Sequence, residues 1–137
     1  MIIADTSGLL ALYNQAEPAH ESVAQIVDRT TDVLVVSPYV VAELDYLVAT
    51  RLGVDSELKI VRELAGGAYE HPHLDDEDLS SCAAVIDRYR NQEIGMADAS
   101  LVVLADRYRT RQILTLDRRH FDVLRPFHGG RFVLLPA

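Results

Sequence analysis

Several features that mark secreted and membrane proteins are missing from this sequence. Its 137 residues contain one cysteine, Cys82, so a disulfide framework and a thiolate metal site are both excluded. No apolar run approaches the ~18 residues that a membrane-spanning helix needs, since Ser37, Pro38 and Asp98 interrupt the longest ones. The first residues lack the basic segment of a signal peptide, and Asp5 arrives too early for one. We therefore expect a cytoplasmic protein that does not enter a membrane.

Positive charge is scarce as well, but it is unevenly spread. The net charge of -8 argues at first against a nucleic-acid partner. Residues 1–87 hold 4 Lys or Arg against 16 Asp or Glu, whereas residues 88–137 hold 9 Arg against 5 Asp or Glu. Arginine is the better phosphate ligand, because its planar group donates hydrogen bonds in pairs. The charge distribution neither excludes nor indicates an RNA partner, since solvated helix faces carry arginine too.

Apolar patterning predicts one α/β domain over residues 1–137. Hydrophobic residues make up 49% of the chain and charged residues 25%, as in globular proteins. Short apolar runs alternate with stretches of helical periodicity, which indicates helices packed around a short, mostly parallel sheet. The predicted strands lie at 2–4, 33–37, 68–74, 112–117 and 131–136, and the predicted helices at 7–14, 17–30, 38–52, 55–64, 75–89, 95–109 and 118–124.

Acidic residues occupy the ends of two predicted strands and the early turns of two predicted helices. Asp5 follows the first strand and Asp117 ends "QILTLD", so a parallel sheet would place both carboxylates at the edge where ligands bind. Asp98 lies in the first turn of its helix, on the side that faces buried surface. In the helix over 38–52, helical periodicity does not choose between Glu43 and Asp45.

A cluster of such acids favours a bound cation. Each acid alone also fits a structural role as a helix cap, a turn former or a solvated residue. Gathered at one sheet edge, however, the carboxylates would repel and raise one another's pKa unless a cation neutralised them. Carboxylates without histidine or cysteine partners suit Mg²⁺ or Mn²⁺, and Mg²⁺ combines one or two of them with waters and substrate phosphate. This chemistry favours hydrolysis of a phosphodiester bond.

Four sequence blocks that carry these acids resemble the PIN-domain family, specifically the VapC-type toxins of bacterial toxin–antitoxin pairs. "IIADTSGLLAL" resembles the opening block with Asp5, and "SPYVVAELDYLV" resembles the second with Glu43, which selects Glu43 over Asp45. "IGMADASLVVLA" resembles the third block with Asp98, and "ILTLDRRHFDVLRP" resembles the fourth with Asp117. The resemblance covers essentially the whole chain.

The resemblance implies a fold, an activity and partners. The implied fold is a three-layer α/β/α sandwich. The implied activity is that of a Mg²⁺-dependent endoribonuclease, with Mn²⁺ as a possible substitute, that arrests translation by cutting structured RNA such as tRNA or rRNA. Asp5, Glu43, Asp98 and Asp117 would carry the metal, and the products would have 5′-phosphate and 3′-hydroxyl ends. A homodimer and a cognate VapB-type antitoxin that blocks the site are implied as well.

Hydroxyl and arginine side chains beside the acids are expected to assist them. Thr6 and Thr115 are expected to orient carboxylates or a bound water. Arg118, Arg119 and Arg125 are expected to contact RNA phosphates on either side of the scissile bond.

Two neighbours of Asp117 leave alternatives open. Asp122 is the alternative to Asp117 as the fourth acid, because this acid is the most variable part of the family pattern. His120 fits contact with substrate and helix capping equally well.

Other functional classes fit the sequence less well. A non-catalytic PIN-like module that binds RNA or protein is the main alternative, and four intact acids argue against it. A phosphate-switch receiver needs adjacent acids after its first strand and a late lysine, but Thr6 and Ser7 follow Asp5 and Lys59 lies mid-chain. A dehalogenase-like phosphatase needs a second Asp in the "DTS" loop, and no GxSxG elbow supports a serine nucleophile.

Overall fold

The computed structural model describes residues 1–137 and has a four-stranded sheet surrounded by helices. The strands are β1 (Ile2–Ala4), β2 (Leu34–Val36), β3 (Gln112–Leu114) and β4 (Val133–Leu135). They lie in the order β2-β1-β3-β4, and every neighbouring pair is parallel. The predicted α/β fold around a parallel sheet is confirmed.

Seven α-helices and one 3₁₀ turn connect the strands. They are α1 (Thr6–Tyr13), α2 (His20–Arg29), α3 (Pro38–Leu52), α4 (Val54–Leu64), α5 (Asp76–Arg88), the 3₁₀ turn (Arg90–Gln92), α6 (Met96–Arg107) and α7 (Arg118–Phe121). Every residue of β1 and β2 is buried, so both faces of the sheet are covered. This explains why these strands read as continuous apolar runs rather than as an alternating pattern. None of the helices is long and apolar enough to cross a membrane.

Helix α3 begins and ends where the sequence predicts. The Ser37 hydroxyl accepts a hydrogen bond from the backbone N–H of Tyr39 at 3.2 Å, and Pro38 occupies the first helical position. These residues suit a helix start, because the hydroxyl replaces a missing helical acceptor and proline needs no acceptor. Gly53 ends the helix with a φ of +91°, a conformation that side chains disfavour. The caps thereby fix the position of Glu43 along α3.

Helix α1 approaches β3 so closely that a glycine is required at position 8. A Cβ atom on Gly8 would lie 2.4 Å from the backbone oxygen of Leu114. At the same place the backbone N–H of Asp5 donates to the oxygen of Leu114 at 2.9 Å. These contacts hold the end of β1, the start of α1 and the end of β3 together.

Several predicted elements are shorter than expected, among them β3, which ends at Leu114 rather than at 117, and α7, which ends at Phe121 rather than at 124. The helix predicted over 17–30 begins at His20, because the residues before it form a turn in which the His20 N–H donates to the oxygen of Glu17 at 2.9 Å. The strand predicted within 68–74 is reduced to one parallel bridge between Glu70 and Val35.

Candidate active site

A cleft of about 470 Å³ opens beyond the carboxyl ends of β1 and β3. All four acids predicted from the sequence line it: Asp5, Glu43, Asp98 and Asp117. They come from the end of β1, from α3, from the first turn of α6 and from the segment before α7. The fold therefore gathers carboxylates that are far apart in the chain, at the edge where parallel sheets bind ligands.

Asp5 lies at the buried base of the cleft. It is 5% exposed, and its Oδ2 accepts hydrogen bonds from the hydroxyls of Ser7 at 2.9 Å and Thr115 at 2.7 Å. Burial raises the pKa of Asp5, and the charge of Glu43 raises it further, whereas the two hydroxyl donors oppose the rise. An ionised carboxylate in this position is costly unless a positive partner neutralises it.

Asp98 is a half-buried carboxyl group of the cleft. Burial is the main cause that raises its pKa to about 6, followed by the negative charge of Asp5. The charge of Asp117 adds to this rise, and His120 opposes it. Carboxyl groups that disfavour one another's ionisation in a cleft are typical of a functional site.

The sequence predicted that Asp117 ends a strand, and this prediction is wrong. Strand β3 ends at Leu114, and Asp117 caps the short helix α7, where its Oδ1 accepts the backbone N–H of His120 at 3.4 Å. The cap orients α7 so that His120 also lines the cleft. The Nδ1 atom of His120 lies 2.8 Å from Oδ2 of Asp98 and 3.3 Å from Oδ2 of Asp117.

Ser7, rather than Thr6, provides a hydroxyl contact to Asp5. The hydroxyl of Thr6 is buried without a hydrogen-bond partner, whereas the first turn of α1 directs Ser7 back toward the acid that precedes the helix. The Thr115 hydroxyl contacts Asp5 and also accepts the backbone N–H of Asp117 at 2.9 Å. Thr115 thus joins the two acids through one oxygen.

The three arginines expected to contact RNA lie outside the lining of the cleft. Arg118 donates to a backbone carbonyl at 3.2 Å, and Arg125 donates to the backbone oxygen of Asp122 at 2.6 Å. The side chain of Arg119 is 86% exposed, with Nε 3.9 Å from Asp117. Arg119 is therefore the arginine of this group that stands nearest to the acids.

A different arginine lines the cleft. Arg51 follows Glu43 by eight residues on α3, and Leu47 lies between them on the same face of the helix. The sequence predictions did not include Arg51, although the i, i+4, i+8 spacing from Glu43 is visible in the sequence. Asp45, the alternative to Glu43, contacts Glu57 on α4 and does not line the cleft.

The donor atoms of the cleft suit a hard cation such as Mg²⁺. The structure contains no group of three or more His, Cys, Asp or Glu side chains arranged to hold a metal ion by themselves. This arrangement fits Mg²⁺, which keeps several waters and binds proteins through one or two carboxylates. Asp5 and Asp98 are the pair best placed to supply these ligands, because Asp5 is buried, Asp98 is half-buried, and neither contacts a lysine or an arginine.

Comparison with known proteins identifies the family of this chain. The PIN domain family model matches residues 2–125. Ribonuclease VapC26 of Mycobacterium tuberculosis is 59% identical over 135 residues, which is 98% of this chain and 100% of the relative.

Two solved structures show the same fold at low sequence identity. The crystal structure of Mycobacterium tuberculosis VapC20, described as a Sarcin-Ricin loop cleaving toxin, has a TM-score of 0.79 at 18% identity and covers 85% of this chain and 90% of that one. VapBC2 from Rickettsia felis, bound to a DNA fragment from its promoter, has a TM-score of 0.68 at 16% identity and covers 98% and 97%. With the family model and the close relative, these findings place the chain in the PIN-domain family, among the VapC-type ribonuclease toxins of toxin–antitoxin systems.

Proposed function

We propose that the protein is a divalent-metal-dependent endoribonuclease that cuts structured RNA, tRNA or rRNA, and so inhibits translation. The supporting observation is the convergence of the four predicted carboxylates, from separate elements, in one cleft that Glu93 also lines, where the pKa of Asp5 and of Asp98 is raised. Such a site favours a cation, and a phosphodiester substrate brings further oxygen ligands for that cation.

Each acid has a distinct task in this proposal. Asp5 and Asp98 would hold Mg²⁺, for which Mn²⁺ can substitute, while Glu43 and Asp117 complete the acidic site. When bound, the ion would polarise the scissile phosphate and lower the pKa of the attacking water. Ser7 and Thr115 keep Asp5 in one orientation through their hydrogen bonds.

Glu43 and Arg51 act on the substrate side of the cleft. No hydrogen bond with the protein engages the carboxylate of Glu43, which leaves it free to orient the attacking water. Arg51 supplies a guanidinium group that can bind a phosphate beside the scissile bond. Hydrolysis then leaves a 5′-phosphate and a 3′-hydroxyl, and no side chain serves as a nucleophile.

Sequencing of RNA 5′ ends tests this function. Wild type, Asp5→Asn and the exposed-surface control Asp28→Asn are incubated with tRNA and with ribosomes, in Mg²⁺ or in EDTA. We expect new 5′ ends for wild type and Asp28→Asn in Mg²⁺, and none for Asp5→Asn or in EDTA. Ends that persist in Asp5→Asn would contradict the proposal, and RNA binding without cleavage would indicate the non-catalytic module instead.

An antitoxin of the VapB type is the proposed inhibitor. Support comes from the relatives, which include a toxin-antitoxin complex from Klebsiella pneumoniae with a TM-score of 0.69. The acidic cleft favours a basic segment of the partner that blocks access of RNA. Co-expression with the gene upstream should yield a complex that no longer cleaves RNA, and an active complex would contradict this assignment.

A homodimer is also proposed, and the outer face of α4 supports it. Val54, Leu58 and Val61 lie four and three residues apart on this helix and are 62%, 45% and 42% exposed. This spacing gives one apolar stripe, as in paired helices. If α4 packs antiparallel against α4 of a second copy, Asp55 of one copy faces Arg62 of the other, so the face is complementary to itself.

Charge reversal tests this dimer directly. Asp55→Arg and Arg62→Asp alone should each produce monomers in light scattering after gel filtration, because like charges then meet across the two-fold axis. The double variant should restore the dimer, and Leu79→Glu on α5 serves as the control that leaves it intact. A dimer unaffected by the single reversals would place the interface elsewhere.

A further inference from the structure

His120 takes part in the site both through its backbone N–H and through its ring. The Asp117 side chain accepts its backbone N–H, but its ring extends into the cleft between two carboxylates. Nδ1 is shielded from solvent and lies within 2.8 Å of Asp98 and 3.3 Å of Asp117, without a well-aligned hydrogen bond to either. A buried ring nitrogen between two acidic groups is costly unless it donates to them. The expected state is therefore an Nδ1–H shared between these carboxylates.

The oxygen atoms of Asp117 are already engaged by the protein. Oδ1 accepts the backbone N–H of His120, and Oδ2 faces the ring of the same residue. Asp98 differs, because only Oδ2 faces His120 and Oδ1 is free to bind a cation. Asp5 accepts both hydroxyl hydrogen bonds at Oδ2, and the backbone N–H of Thr6 also donates to its carboxylate. Asp98 thus keeps a carboxylate oxygen without a protein partner, whereas both oxygens of Asp117 face His120.

We infer that Asp117 acts on the metal site through His120 rather than as a direct ligand, with the imidazole linking it to Asp98. His120 and Asp117 are then positioning residues: Asp117 orients His120, and His120 holds the Asp98 carboxylate at Oδ2, which keeps Oδ1 free. Hydrogen-bonded partners of ligating groups commonly act in this way. The inference rests on the proposed metal-dependent function and specifies how its fourth acid works.

Mn²⁺ binding by calorimetry on the full chain, without RNA, tests the inference. We expect His120→Leu and Asp117→Asn each to weaken Mn²⁺ affinity about 10- to 100-fold, as removal of an orienting partner does. Because both changes break the same link, the double variant should bind no more weakly than the weaker single variant. This non-additivity is the readout that two independent roles would not give.

A conservative variant supplies the matched control. Asn at position 120 can place its amide N–H where Nδ1 of His120 lies, so His120→Asn should bind Mn²⁺ within about 3-fold of wild type, well inside the 10- to 100-fold range that removal of the partner gives. His120→Gln places its amide at the other ring nitrogen and should behave like His120→Leu, which it replaces if the leucine variant does not fold. Circular dichroism of each metal-free variant confirms folding.

Additive losses, unchanged affinity in His120→Leu or tighter binding in that variant would each overturn the inference. These outcomes leave the nuclease proposal intact, provided that the wild-type protein binds Mn²⁺. Absence of Mn²⁺ binding by the wild-type protein, in contrast, would overturn the proposed function itself.

Discussion

The two halves of the cleft are built in different ways. On one side Asp5 follows a central strand directly, and its position is fixed by the parallel ladder, by the close packing at Gly8 and by two hydroxyl donors. On the other side Asp117 lies on a loop and caps a helix of four residues, where it contacts His120 and the exposed Arg119. The first half depends on the core, whereas the second depends on local side-chain contacts.

This difference indicates where substitutions in the cleft matter most. The orientation of Asp5 is shared with the sheet, so a change there alters a group that the whole fold holds in place. The Asp117 half is more exposed, and its contacts can be replaced without disturbing the core. We therefore expect activity to depend most strongly on the Asp5 half, while the Asp117 half adjusts metal affinity and RNA contact.

Paired amide variants give the largest expected effect. Asp5→Asn should lower the rate of RNA cleavage about 1000-fold or more, because it removes a charge that holds the ion and several kcal/mol of transition-state stabilisation depend on it. Asp117→Asn should lower the rate only about 10- to 100-fold, as expected for an orienting partner. Cleavage rates at one Mg²⁺ concentration that does not saturate the variants measure both, and equal losses would remove the distinction between the halves.

Asp98 lies between the two halves of the cleft. Its variant tests how much the acidic site lowers the free energy of unfolding when no metal is bound. The folded protein raises the pKa of Asp98 from 3.8 to about 6, so between these values it binds more protons than the unfolded chain. The free energy of unfolding without metal should therefore fall as pH rises from about 4 to about 6 and stay low at pH 7.

Asp98→Asn should then increase the free energy of unfolding at pH 7 in EDTA, by at most about 3 kcal/mol. Near pH 4 the advantage should disappear, because Asp98 is protonated in the folded protein. Urea denaturation at both pH values measures the difference. A variant less stable than wild type at pH 7 would show that Asp98 is already neutralised within the chain.

The packing beneath the Asp5 half can be tested without touching an acid. Gly8→Ala should lower the free energy of unfolding by about 1–3 kcal/mol, because its Cβ would meet the backbone of β3 and force α1 to shift. Gly95→Ala is the matched control, since nothing lies within 4 Å of the added Cβ and φ is not positive. Because Gly95 is the N-cap of α6, where alanine is less favourable than glycine, Gly95→Ala should cost about 0.5–1 kcal/mol, less than Gly8→Ala.

The smallest effect is expected from the exposed cations of the Asp117 half. Replacing Arg118 and Arg119 by Ala should weaken RNA binding and reduce the slope of log affinity against log salt by about 1 for each phosphate that the variant no longer neutralises. Binding measured at several salt concentrations with a cleavage-inactive Asp5→Asn background gives this slope. An unchanged slope would exclude both arginines from the RNA interface.

Much of the fold was predictable because the signals are local. Continuous apolar runs marked β1 and β2 as strands covered on both faces, and Ser37, Pro38 and Gly53 marked both ends of α3. The strand predicted around Glu70 failed, because a strand needs a ladder of partners and only one bridge forms there.

The acids and the hydroxyl partner Thr115 were predicted from the sequence, but the other partners were not. Ser7 and Thr6 are both hydroxyl residues after Asp5, and only the direction of the first helical turn decides which one reaches the carboxylate. Arg51 was not distinguished from other polar residues, and the sequence left two roles open for His120. Their place in the cleft depends on how α3 and α7 pack, which no local pattern specifies.

By itself the sequence determined the types of element and which carboxylates follow apolar strands or begin helices, since hydrophobic periodicity and capping act over a few residues. Only the tertiary structure decided that β1 and β3 are neighbours, so that Thr115 reaches Asp5, and that the ring of His120 lies between Asp98 and Asp117. The reason is that such contacts join residues far apart in the chain, and their geometry is set by strand order and packing rather than by neighbouring residues.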